Sequence, residues 1–157
     1  MTSTSRQTEL VGMSYVTDAE AYLKAANALS QSDIDMWSPV YFLLCHGIEL
    51  LLKAFILVSG GAESELTKQD TRHNLKVLRD RARELGYQPA NEKTNEVIEM
   101  LSPYHQDHSF RYRDPGSKTF PVISDTIEVL ASMKNEIGPV VLRKARAAIE
   151  SSGSPAY

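Results

Sequence analysis

Tyr41-Phe-Leu-Leu-Cys-His-Gly-Ile-Glu-Leu-Leu-Leu-Lys-Ala-Phe-Ile-Leu57 is apolar almost all the way round a helix, yet it encloses His46, Glu49 and Lys53. At about 100° per residue these three fall within roughly 60° of one another, a single narrow stripe. A helix apolar on nearly every face belongs in the middle of a core. Ionisable groups there cost several kcal/mol each unless paired, so the stripe must meet partners or water. The stripe is therefore either a structural polar network or a site.

Reading outward from this stretch, Ser38-Pro39 has the form of an N-cap followed by a first helical residue, where proline's missing N–H costs nothing. The central helix is expected over 39–59. Gly60-Gly61 ends it, because a C-terminal cap favours left-handed backbone. Upstream, Thr17 and Glu20 form a capping box for a helix from Asp18 to about Ser30, burying Tyr22, Ala25, Ala26 and Leu29. Residues 1–13 read as a flexible lead-in. Downstream, Asp70 or Thr71 caps a helix from about Arg72 to Leu85 stopped by Gly86, and another starts at Asn91, with Ser102-Pro103 kinking or restarting it. A last helix opens at the Asp125/Glu128 capping box, is kinked by Gly138-Pro139 and runs to about Glu150. Between them, residues 109–123 predict a small extended or hairpin excursion. The expected fold is all-α: an antiparallel bundle of about five helices around a long buried helix. One domain spans 14–150, and 151–157 reads as a disordered tail.

Composition narrows the function classes. The chain has 157 residues, a net charge of -3 and 42% apolar content, which suits a single globular core rather than a uniformly basic nucleic-acid binder. A lone cysteine, Cys45, allows no internal disulfide and sits where a packed thiol is expected. The polar N-terminus lacks the apolar run of a secretory signal, and charges near the middle of 40–60 oppose a membrane span, so a cytoplasmic protein that engages no membrane is expected.

His46-Gly-Ile-Glu-Leu-Leu-Leu-Lys53, followed by His73-Asn-Leu75 and later by Arg111-Tyr112-Arg113, resembles the HEPN superfamily (higher eukaryotes and prokaryotes nucleotide-binding) over roughly residues 15–150. The resemblance implies a helical bundle that pairs as a homodimer or with a cognate partner protein. It also implies links to RNA, nucleotides, toxin–antitoxin pairs or defence. Ribonuclease members carry Arg-x(4–6)-His. None of His46, His73, His105 and His108 has an arginine at that upstream spacing, so the family's catalytic residues do not transfer.

Three constellations follow from the residues themselves. His46, Glu49 and Lys53, with His73, Arg111 and Arg113, form a candidate polar site. In one view Glu49 sets the protonation of His46 while Lys53 holds an anion; in the other the network fixes packing, Arg111 pairing with Glu49 while Phe110 and Tyr112 seal the bundle's end. His73, placed in the first turn of its helix, gains an anion-favouring environment there. Arg72, Lys76, Arg79 and Arg83 follow one another at intervals of four, three and four, a candidate track for anions or RNA phosphates. His105 and His108 with Asp107 could share a metal if helical, but no further ligand pair supports it, so neither a metal nor a cofactor is expected. The functional expectation is a non-catalytic binding module for RNA, a nucleotide or a cognate partner. The alternative is a divergent metal-independent endoribonuclease with His46 or His73 as base and Arg111 or Arg113 stabilising the developing charge.

Overall fold

A computed structural model describes residues 3–112 and 116–152 of the chain. Among these residues there are six helices and no strand: α1 (Ser3–Ser30), α2 (Trp37–Val58), α3 (Glu63–Leu66), α4 (Leu75–Glu84), α5 (Thr94–Gln106) and α6 (Ile123–Ser152). With α3 a single turn, the all-α bundle has five substantial helices.

Helix α2 is the axis. It packs against α1, α6, α4 and α5, and its Leu44, Cys45, Ile48, Leu51, Leu52, Ala54 and Ile56 are sealed from solvent. Helix α2 would be long and apolar enough to cross a membrane, but most of its surface is enclosed by its own bundle. Close approach to α6 depends on Gly47, where a Cβ would lie 2.8 Å from Leu130 Cδ2. Elsewhere in the core, Leu75, Leu78 and Ala82 of α4 and Val97, Ile98 and Leu101 of α5 are buried as their 3.6-residue spacing requires.

Helix ends follow local chemistry, though not always at the expected residue. At the C-terminus of α2, Gly60 has φ 100 and the Gly61 N–H donates to the Ile56 carbonyl at 2.8 Å, a Schellman closure. Gly86 (φ 102) ends α4 in the same way, with the Tyr87 N–H donating to the Ala82 carbonyl. Helix α5 closes with the same hydrogen bonds, Ser109 N–H to the Tyr104 carbonyl, but its left-handed residue is His108 (φ 58). A side chain there costs of order 1–2 kcal/mol, strain the surrounding packing must sustain.

Several boundaries differ from expectation. The residues read as a lead-in are helical from Ser3, because Val11, Met13, Tyr15 and Val16 pack on the core and extend the apolar face N-terminally. The Thr17/Glu20 box is therefore unused; Thr17 Oγ1 donates to the Met13 carbonyl within the helix. Ala26 is buried but Ala25 is exposed. Helix α2 begins at Trp37 rather than Pro39, and the Ser38 hydroxyl donates to the Phe110 carbonyl instead of capping. The cap of α4 is Asn74, whose Oδ1 accepts from the Val77 N–H, so that helix starts three residues later than Asp70 or Thr71 would place it. Helix α5 starts at Thr94 rather than Asn91, and α6 opens two residues before Asp125, whose carboxylate receives Lys93 at 2.9 Å. Helix α5 continues through Pro103 and α6 through Pro139; each proline removes one backbone donor without ending its helix. Residues 116–122 form no strand, so the described part of the excursion is irregular chain, tied down by the Tyr41 hydroxyl donating to the Pro121 carbonyl. Helix α6 takes in residues 151–152 of the expected tail; 153–157 and Arg113 lie outside the described residues.

Burial raises the pKa of Tyr87 well above the ordinary tyrosine range, and the Glu136 carboxylate that accepts its hydroxyl proton at 2.8 Å adds to the shift. A raised folded-state pKa stabilises the fold below the unfolded value of about 10, and that contribution is lost as pH rises through the folded value. In an ultraviolet pH titration Tyr87 should therefore ionise only together with alkaline unfolding. Tyr87→Phe should shrink this lag by one tyrosine's absorbance, leaving the share of buried Tyr41, whose pKa burial also raises; a full tyrosine titration preceding unfolding would contradict the arrangement.

Candidate functional site

Three of the chain's four histidines converge on the buried carboxylate of Glu49, and the fourth, His108, packs against one of them. The cluster is assembled from α2 (His46, Glu49, Lys53), the turn before α4 (His73), and the end of α5 (His105, His108). Glu49 is only 2% exposed. Its Oε1 accepts from Lys53 Nζ at 2.6 Å. Its Oε2 accepts from His105 Nε2 at 2.6 Å and from His73 Nδ1 at 3.2 Å, with His46 Nδ1 at 3.8 Å. Burial alone would raise the Glu49 pKa, but the His105 hydrogen bond, the neighbouring His46 and the Lys53 ammonium together hold it well below the usual carboxylate range. The network thus favours the ionised carboxylate.

The cluster is graded from wet to dry. His46 and His73 are 25% and 26% exposed at the mouth, whereas His105 is 4% exposed beside Glu49 at the base. Aromatic rings hold the mouth in place. Tyr22 meets His46 edge-on at 4.8 Å and Phe42 stacks parallel to it at 6.0 Å. The His73 ring packs edge-on against His105 and His108, at 5.9 and 5.0 Å. Desolvation and then the Arg111 charge lower the pKa of His108.

Arg111 does not pair with Glu49. Its guanidinium lies over the Phe42 ring, 5.2 Å from the centroid, and Phe42 in turn stacks on His46. Phe110 is buried against Tyr41 and Phe120 as expected for a seal, but Tyr112 points outward and is 71% exposed. His105 takes the place expected for Arg111. It had a legible signal: Ile98, Leu101 and His105 are spaced three and four apart, which puts this histidine on the buried stripe of α5.

The basic track does not survive folding as a unit. Arg79 is 5% exposed and ion-paired with Asp80 and Glu99 at 2.7 and 2.8 Å, and Lys76 also reaches Glu99 at 3.6 Å. Arg72 lies before the N-cap of α4 and Arg83 near its end, both exposed. His73 likewise precedes the helix, so it does not sit in the first turn as expected. The two carboxylates that hold Arg79 are one residue and one helix away, and the second of them is not visible in the α4 periodicity.

Next to the histidine cluster lies an open cavity of about 680 Å³. Trp37, Arg111, Tyr112, Lys118 and Phe120 are among its lining residues. Trp37 is the chain's single tryptophan, 45% exposed and 5.6 Å from Phe120. Lys118 lies over the Tyr104 ring at 5.7 Å. Comparison with protein-family models, with curated proteins and with solved structures finds no match to this chain.

Proposed function

We propose that this chain is a HEPN-like, non-catalytic binding module for a phosphate-bearing ligand, a nucleotide or a short stretch of single-stranded RNA. The observation that carries this reading is the 680 Å³ cavity, which combines exposed aromatic faces (Trp37, Tyr112) with cations (Arg111, Lys118). Single-stranded nucleic acid is held by this pairing of stacking platforms with positive charge. Arg111 also joins the cavity to the histidine cluster through Phe42, so a phosphate beside it would lie near further donors. The Arg72/Lys76/Arg79/Arg83 row is a weaker anchor, with Arg79 already committed to two carboxylates and Lys76 close to one of them.

Trp37 supplies the measurement. Titration with mononucleotides and short oligoribonucleotides should quench its fluorescence, with affinity falling as salt rises by about 0.7 in log–log slope per phosphate neutralised. Tyr112→Ala should weaken oligonucleotide binding by about 1–3 kcal/mol, and Arg111→Ala should reduce the salt slope by about one phosphate. Unchanged fluorescence and no retention on immobilised RNA at low salt would overturn this reading. A second reading, endoribonuclease activity, draws on the partial exposure of His46 and His73 beside Arg111. Cleavage of an RNA panel by the purified protein, abolished by His73→Ala or Arg111→Ala, would establish it over the first.

A further inference from the structure

Each nitrogen around Glu49 Oε2 presents the geometry of a ligand as well as that of a donor. His46, Glu49 and His105 offer one ligand atom apiece, all within 4.8 Å of one another. His73 Nδ1 stands 3.2 Å from the same carboxylate oxygen. In a tetrahedral zinc site with bonds of about 2.0–2.1 Å, ligand atoms are separated by about 3.3 Å. The distances from Oε2 to the three imidazoles, 2.6, 3.2 and 3.8 Å, bracket that value.

An independent observation points the same way. His46 Nδ1 is buried and has no hydrogen-bond partner among the described residues, although the rest of its ring reaches the surface. A buried polar atom left unpaired costs about 1–3 kcal/mol. Proton-mediated bonding cannot readily relieve it, because Oε2 already accepts from His105 and His73. A cation between the nitrogens and the oxygen satisfies all of them at once.

We propose that His46, Glu49 and His105 bind a divalent transition-metal ion of the zinc class, with His73 or a water as the fourth ligand. Imidazole nitrogens with one carboxylate suit zinc, cobalt and nickel rather than magnesium or calcium, which take oxygen ligands. Lys53 on Oε1 supplies the outer hydrogen bond that metal-bound carboxylates characteristically have. Its charge also opposes the dication, which limits affinity. The quarter-exposed mouth formed by His46 and His73 is the entry path, and the apolar walls of α2 and α5 exclude bulk water behind Glu49. This site is independent of the nucleotide reading: it needs none of the cavity's residues.

The test uses the full chain stripped with a chelator and then titrated with Co²⁺ and Zn²⁺. One equivalent of Co²⁺ should produce the intense visible absorption of four-coordinate nitrogen–oxygen ligation, displaced by Zn²⁺, and Zn²⁺ should raise the melting temperature as its concentration increases. His46→Gln removes a partly exposed ligand whose Nδ1 makes no hydrogen bond, so the variant should fold; it should lose more affinity than the 10–100-fold typical of an outer-sphere partner. His105→Gln should do the same, and if it fails to fold His46→Gln carries the test alone. Lys53→Gln should tighten binding by removing the opposing charge. Absence of a stoichiometric cobalt spectrum, or binding unchanged in His46→Gln, would overturn the proposal.

Discussion

Glu49→Gln should destabilise the metal-free protein by about 3–5 kcal/mol, the cost of removing one partner from a buried ion pair. The substitution keeps side-chain size, so packing is not the cause. It leaves the Lys53 ammonium, 12% exposed, without its counter-charge, and it replaces a carboxylate oxygen shared by His105 and His73 with a weaker neutral acceptor or a competing donor. For a chain of this length each kcal/mol corresponds to about 2–4 °C, so the melting temperature should fall by roughly 6–20 °C. Urea denaturation and circular dichroism melts with chelator present measure this. Combining Glu49→Gln with Lys53→Met should recover part of the loss, because the orphaned charge is then gone. A loss below about 1 kcal/mol, the range of a solvent-exposed pair, would mean that the carboxylate is not held in the enclosed network described.

Gly47→Leu should cost about 3 kcal/mol by a different route. Helices α2 and α6 approach closely because residue 47 has no side chain: a Cβ there would stand 2.8 Å from Leu130 Cδ2 and 3.3 Å from Cδ1. Leu44, Leu51, Leu130 and Met133 are all sealed from solvent, so the core has no space for a branched side chain, and overpacking of this kind costs typically 1–3 kcal/mol. Gly47→Ala is the instructive control. The clashing atoms are the far end of one flexible side chain, and alanine gains about 1 kcal/mol of helix propensity, so the two effects should nearly cancel. Equal midpoints for the leucine variant and the parent in urea would show that this seam is looser than described.

These two expectations mark where the amino-acid pattern is sufficient and where it is not. The all-α class, the enclosed central helix, its glycine stop and the sharing of one stripe by His46, Glu49 and Lys53 are all legible locally. Helical periodicity and left-handed caps are properties of a few adjacent residues, so tertiary context had little to change. Helix starts were less legible. Asn74, Ser38 and Thr17 can each cap or do something else, and the choice depended on neighbours such as the Phe110 carbonyl, which is distant in the chain.

The identity of the groups that meet Glu49 belongs to the tertiary structure. His73 and His105 lie 24 and 56 residues from Glu49 in the chain, and their approach depends on how α4 and α5 pack on α2. The same packing brings Glu99 to Arg79 and so interrupts a basic row that looks continuous on one helix, while it opens Trp37 and Arg111 to a common cavity. From sequence alone this chain was a helical bundle with buried charge at its centre. Only the folded arrangement decided which partners neutralise that charge, because electrostatic pairing acts through space over a few ångströms and residue spacing reports only neighbours on one helix.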